Sequence, residues 1–276
     1  MKSFLKLFNF EFNRFFKLYI GIFVCMFVFQ IGGAIVSSLL YKKQINELVN
    51  QGAGQNAITE QMEPFGLLDV TYNLYFLGPL FIGLISILFY TFFIWYRDWI
   101  GKNTFVYRLL TLPTSRMNVF YAKLATIFIT GLGLMAFQLF LMAIQSKVIA
   151  FIIPKIYRSE LDLMSVVYQL DITYMLLPTD FTEFIFYQFI GIVVTVVFFT
   201  SILIERSYRI IGNVYALLNI GIACLIMLAP LWSVTFIGYN YFYGKEVILL
   251  VLLSSSIVLI LSLVLSRYLI NKKVTV

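Results

Sequence analysis

Apolar residues in this chain fall into long blocks of about 20, the length a helix needs to cross roughly 30 Å of hydrocarbon. The blocks lie at 18–41, 74–96, 124–146, 184–204, 210–231 and 247–266, separated by shorter polar or charged stretches. They predict an all-α polytopic membrane protein with six transmembrane helices. The fifth block has the least definite end. Pro230 and the aromatic stretch Trp232 to Tyr243 can terminate it, kink it or form a short re-entrant piece. No tandem repeat, low-complexity tract or soluble domain interrupts the pattern, so residues 1–276 read as a single membrane domain.

Ahead of the first block, residues 1–17 have a different pattern. At about 100° per residue, Phe4, Leu5, Phe8, Phe12, Phe15 and Phe16 share one arc, and Lys2, Lys6, Asn9, Asn13, Arg14 and Lys17 share the other. This predicts an amphipathic helix lying on the membrane surface before the spans begin. Glu11 falls at the edge of the apolar arc. The simpler reading is that it snorkels or pairs with Arg14; the functional one is that it faces a protein partner or another cytoplasmic segment. On that second reading Arg97, Arg206 and Arg209 are the basic residues on its side of the membrane. The segment does not read as a cleaved signal, whose apolar core would be shorter and followed by a small-residue cleavage site.

Composition agrees with the pattern. Residues AVILMFWYC make up 61% of the chain and charged residues 12%, about half the charge that a soluble domain carries. The mean hydropathy is +0.93. Charge distribution adds an orientation. The segments 1–17, 97–123, 205–209 and 267–276 hold 14 Lys/Arg and three acids, whereas 42–73, 147–183 and 238–246 hold 6 Lys/Arg and 10 acids. The positive-inside rule then predicts cytoplasmic termini, with 42–73 and 147–183 outside.

Candidate chemistry is sparse. With no histidine, neither a Ser/His/Asp nor a Cys/His set can be assembled, and no cluster has metal-ligand spacing. Cys25 and Cys224 sit inside apolar blocks and read as small packing residues. A phosphate cradle of the form G-x-x-x-x-G-K-[ST] is missing. Gly238 to Glu246 has the wrong spacing, and Gly101-Lys102-Asn103-Thr104 lacks the first glycine. The predicted span interiors hold no carboxylate or base of the kind a proton- or sodium-coupled carrier buries. They hold instead Gln30, Gln138, Gln188, Asn213 and Asn219. These read first as helix-to-helix glue; Gln30, Gln138, Asn213 and Asn219 serve secondarily as a candidate substrate path. The chain therefore reads as a non-enzyme, and an energy source, if it is a pump, belongs to another chain.

The most informative stretch is 97–123, RDWIGKNTFVYRLLTLPTSRMNVFYAK. Pro113 divides it, because the residue before a proline avoids helical angles. A short helix near 101–110 is predicted, carrying Arg108 beside Leu109 and Leu110, followed by a break and then Thr114 or Ser115 capping the third span. The basic and apolar mixture suits docking on a partner; the bland alternative is a solvated connector.

This loop resembles that of the type-two ABC exporter permeases. There a charged pair ends the second span, and a Leu-Leu-x-x-Pro-x-x-Arg string leads to a lysine at the third. The matching residues are Arg97-Asp98, then Leu109-Leu110-Thr111-Leu112-Pro113-Thr114-Ser115-Arg116, then Lys123. Glu11 followed by Arg14 is similar to the family's N-terminal interface helix. The chain departs from the pattern at Asp98, where the family has Glu, and at Gly-Lys-Asn-Thr in place of Gly-Thr.

The resemblance implies a permease that pairs with a second permease, identical or homologous, and with two copies of an ABC ATPase subunit. ATP and magnesium would then be bound by the ATPases, with no cofactor in this chain and no nucleic-acid partner. The elements implied to face the ATPases carry Glu11, Arg14, Arg97, Asp98, Arg108, Leu109, Leu110, Pro113, Arg116, Lys123, Glu205 and Arg206. An apolar, aromatic interior suits an amphipathic or hydrophobic cargo, so membrane-active peptides are the expected substrate, in the manner of phenol-soluble modulin exporters. Lipid, drug or polysaccharide export is the near alternative. A non-transporting membrane sensor or assembly factor is the alternative of a different class.

Overall fold

The structure is a computed structural model that describes residues 2–99, 114–159, 161–169, 180–237 and 244–273. Its long helices are α1 (Lys2–Asn50), α4 (Leu74–Trp99), α5 (Met117–Ile152), α7 (Phe181–Ser207), α8 (Arg209–Ile237) and α9 (Gly244–Tyr268). Between them lie the short helices α2 (Gln55–Gln61), α3 (Leu67–Thr71) and α6 (Leu163–Gln169). A π-helical turn, Leu269–Lys273, continues α9. Six helices are long and apolar enough to cross a membrane, and the chain is a multi-pass membrane protein.

The ends of these helices bear on three expectations. First, residues 2–17 form no separate surface helix; they are the opening turns of α1, which runs 49 residues without a break. Nothing between Lys17 and Leu18 stops a helix, since no glycine, proline or capping residue stands there. Second, α5 begins at Met117, seven residues ahead of the apolar block and just after the expected cap at Thr114 or Ser115, with the Asn118 N–H donating to the Ser115 carbonyl at 2.8 Å. Third, α8 carries Pro230 inside and continues to Ile237. Proline removes one backbone donor, and the helix tolerates that loss; up to Ile237 there is no re-entrant turn, and 238–243 lie outside the described residues.

Contacts divide the chain, read above as one domain, into two compact units. One comprises Arg14–Ile87 and Ile129–Phe184. Here α1 and α5 greatly exceed the membrane: 36 residues of α5 span about 54 Å at 1.5 Å per residue. Their protruding ends build a small cap. Tyr41 and Ile45 of α1 and Ile149 of α5 bury against Leu67, Val70, Val166 and Val167. The Tyr41 hydroxyl donates to the Glu63 carbonyl at 2.8 Å, and Phe65 pairs with the strand-like segment around Arg158. The segments predicted as plain outer loops are thus partly folded, with a core of their own. The apolar blocks did not reveal this, because Leu67, Val70, Val166 and Val167 are scattered among polar residues outside them.

The same unit contains an amide cluster. Gln30 of α1 donates to Gln138 Oε1 at 3.0 Å and to the Phe76 carbonyl at 3.4 Å, while Gln145 donates to Gln30 Oε1 at 3.3 Å. All three glutamines are buried. The helix-glue reading of Gln30 and Gln138 describes this geometry. Gln145 was missed, although its spacing of seven from Gln138 puts both on one face of α5.

The second unit comprises Met1–Asn13, Leu88–Phe128 and Ile185–Val276. Its core joins the start of α1 to the start of α5 through Leu7, Val119 and Ala122. A second cluster joins α7, α8 and α9 through Val193, Val197, Ala223 and Val258. Only Tyr208 separates α7 from α8. Gly212 lets the two backbones touch there: a methyl group at 212 would sit 2.9 Å from Glu205 Cα and closer still to its carbonyl oxygen.

Candidate functional site

The second unit gathers four charged side chains into one buried cluster. Glu11 comes from the third turn of α1, Arg97 and Asp98 from the last turn of α4, and Lys123 from the second turn of α5. Lys123 is fully buried, Asp98 is fully buried, and Glu11 is 2% exposed. The Lys123 ammonium has three protons to donate. It donates to Glu11 Oε1 at 2.7 Å, to the Ile94 carbonyl at 2.9 Å and to Asp98 Oδ2. Arg97 Nη2 donates to the other oxygen of Glu11 at 2.8 Å. Among the described residues, two bases face two acids, and their charges balance.

Local sequence accounts for this placement. Leu7, Glu11 and Phe15 are four residues apart and all buried, whereas Leu5 and Phe16 are exposed. The face of α1 that meets protein therefore runs along the edge of the apolar arc rather than its centre, and Glu11 lies in the middle of that face. It neither snorkels nor stays at the surface. The centre and far edge of the arc are the part that a membrane solvates. On α4, Ile94 and Asp98 are one turn apart and meet the same ammonium. On α5, Lys123 follows Val119 by one turn on the face that packs against α1.

Aromatic rings wall the cluster from solvent. The Lys123 ammonium lies 5.3 Å from the Trp95 ring, and the Arg97 guanidinium lies 5.9 Å from both Tyr90 and Phe93. Trp95, Phe120 and Phe199 pack edge to face or tilted, bringing α7 into the same wall. Cation–ring contacts of this kind add about 0.5–2 kcal/mol each. No known family, characterised protein or solved structure matches the chain.

Of the residues singled out from sequence, Glu11, Arg97, Asp98 and Lys123 meet. Arg97 was named as a partner of Glu11; Lys123 was not. The sequence placed Lys123 at the start of the third span without indicating which way its side chain faces; in α5 it turns inward. All four residues lie just outside the predicted spans, whose interiors were expected to hold no carboxylate or base. Arg14 is half-buried three residues beyond Glu11. Arg116 is elsewhere, donating to the Ile270 carbonyl at 3.1 Å, a cation at a helix C-terminus where the dipole favours it. Arg108, Leu109, Leu110 and Pro113 lie outside the described residues, as does the predicted 101–110 helix. The side chain of Arg209 is likewise not described.

Glu205 and Arg206 form a second group at the end of α7. The Tyr96 hydroxyl donates to Glu205 Oε2, and the Arg206 guanidinium lies 4.8 Å from the Tyr96 ring. Asn219 donates to Ser201 Oγ at 2.9 Å, tying α8 to α7 as helix glue. Asn213 instead faces a cavity beside Glu205. Among the described residues, no three His, Cys, Asp or Glu side chains are placed to share a metal ion.

Proposed function

We propose that this chain is the membrane-spanning permease subunit of an ATP-driven exporter of the type-two ABC kind. Its cargo is an amphipathic or hydrophobic peptide, moved out across the plasma membrane of a bacterial-type cell, with both termini cytoplasmic. The observation that carries the reading is the buried four-charge cluster. The residues that bear the sequence resemblance in α1, α4 and α5 are the ones that meet there, at the end of the helices adjoining the basic segment 100–113. Ionisable groups buried in a membrane protein are costly and are kept for function. A neutral clamp between three helix ends is a two-state element: intact it fixes α1, α4 and α5 together, and opened it releases them. Two ATPase subunits closing on ATP and magnesium would bias that equilibrium, with a second permease completing the pore.

Copurification from native membranes tests the partner. An ABC ATPase should accompany the chain; its consistent absence favours the sensor or assembly-factor reading. Glu11→Gln tests the clamp. It keeps the shape but removes the charge facing Lys123 and Arg97, and should lower substrate-stimulated ATPase activity of the reconstituted complex about tenfold without lowering expression. Equal activity in variant and parent would remove the cluster from coupling.

A further inference from the structure

A cavity of about 310 Å³ opens between the last turns of α4 and α7 and the first turns of α8. Its wall is divided. Tyr96, Glu205 and Asn213 converge at one part, and Phe92, Phe198 and Leu217 belong to the apolar remainder. This is the anatomy of a small-molecule site, apolar walls with a few convergent polar groups. Phe92 and Leu217 are exposed, so the mouth opens where a bilayer would lie. The polar part sits at helix ends, the depth at which an amphiphile's head resides.

Charge selects the occupant. Among the described residues that line it, Glu205 is the one charged side chain. Its carboxylate accepts from the Tyr96 hydroxyl, which uses one of about four acceptor positions. Arg206 does not line the cavity; it leans on the Tyr96 and Trp99 rings, and its guanidinium nitrogen is 3.9 Å from Glu205 Oε1, beyond hydrogen-bond reach. Acceptor capacity on Glu205 therefore remains for a ligand. Asn213 is exposed at the same cavity, its amide in no hydrogen bond with a described residue. A carboxylate and an amide oxygen around an apolar slot match a donor-rich cation on an alkyl chain.

We propose that this cavity binds a single-chain primary alkylammonium amphiphile, its head on Glu205 and Asn213 and its chain between Phe92, Phe198 and Leu217. The site stands apart from the export reading, since binding here needs no ATPase.

Native mass spectrometry of the purified chain in a neutral detergent, titrated with dodecylammonium, tests this. One molecule should bind saturably, and dodecanol and dodecanoate should bind at least about tenfold more weakly. Glu205→Gln keeps an acceptor for Tyr96 but removes the charge, and should weaken dodecylammonium about tenfold. Ala216→Trp, which fills the slot, should abolish the saturable phase. Equal binding of dodecanol, or unchanged affinity in either variant, overturns the proposal. Should Glu205→Gln fail to fold, Asn213→Leu replaces it, and unchanged affinity there overturns the proposal equally.

Discussion

Lys123→Met removes one ammonium from between two buried carboxylates while leaving most of the side-chain volume. At 2.7 Å from Glu11 Oε1, the ammonium gains about 6 kcal/mol of gross attraction at an effective dielectric near 20. Desolvation takes back a large part, and removing one partner of a buried pair costs about 3–5 kcal/mol. Glu11 retains Arg97 at 2.8 Å, which places the expected loss toward the lower end. Asp98 loses its ammonium, and the Ile94 carbonyl loses its side-chain donor. The companion variant Asp98→Asn/Lys123→Met removes one charge of each sign, leaves the Glu11–Arg97 pair in place, and should recover about half of the loss or more, because a buried ion pair and a neutral pair of equal volume differ little. The assay is reversible unfolding by denaturing detergent, followed by helical circular dichroism and repeated for both variants. A loss under about 1 kcal/mol in Lys123→Met, or a double variant no more stable than the single one, would refute the account of a desolvated, mutually compensating cluster.

Gly212→Ala should destabilise by about 1–3 kcal/mol, as overpacking against backbone does, and thermal melting in detergent measures it; an unchanged midpoint would mean that the α7–α8 contact yields. Gln30→Leu should cost about 1–3 kcal/mol by the same unfolding assay, since Gln138 and Gln145 lose their shared partner in a buried setting. For orientation, with Cys25 and Cys224 replaced by alanine, single cysteines at the exposed positions Asn56 and Lys155 should react with an impermeant thiol reagent in intact cells. One at Ser115 should not, and the reverse pattern would invert the topology. Replacing Leu109 and Leu110 together by Asp should abolish ATPase association without preventing insertion; normal complex formation would free that segment of any docking role.

The helices were legible because hydrocarbon imposes length: a block of about 20 apolar residues has one economical conformation in a membrane. Their ends were not legible in the same way. Beyond the hydrocarbon, helix continuation depends on caps and tertiary partners, so α1 continued in both directions and α5 began seven residues before the apolar block. The candidate site shared that difficulty. Glu11 was visible as an anomaly of the N-terminal arc, and Arg97 was visible by side of membrane. Lys123 became a core residue only when Val119 and Ala122 proved to pack on Leu7, a contact between positions more than a hundred residues apart. The glutamines show the reverse case, in which a polar residue in an apolar block could be assigned a role before its partner was known.

The single residue between α7 and α8 constrains how the protein is made. A link of one residue, on the side expected to be cytoplasmic, gives α8 no slack to settle in the bilayer apart from α7. Helices α7 and α8 must therefore enter the bilayer together, as a hairpin presented by the insertion machinery in one step. The Asn219–Ser201 bond then matters at birth as much as at rest. It pairs two polar groups before either meets acyl chains, so the hairpin reaches lipid with that part of its desolvation already settled.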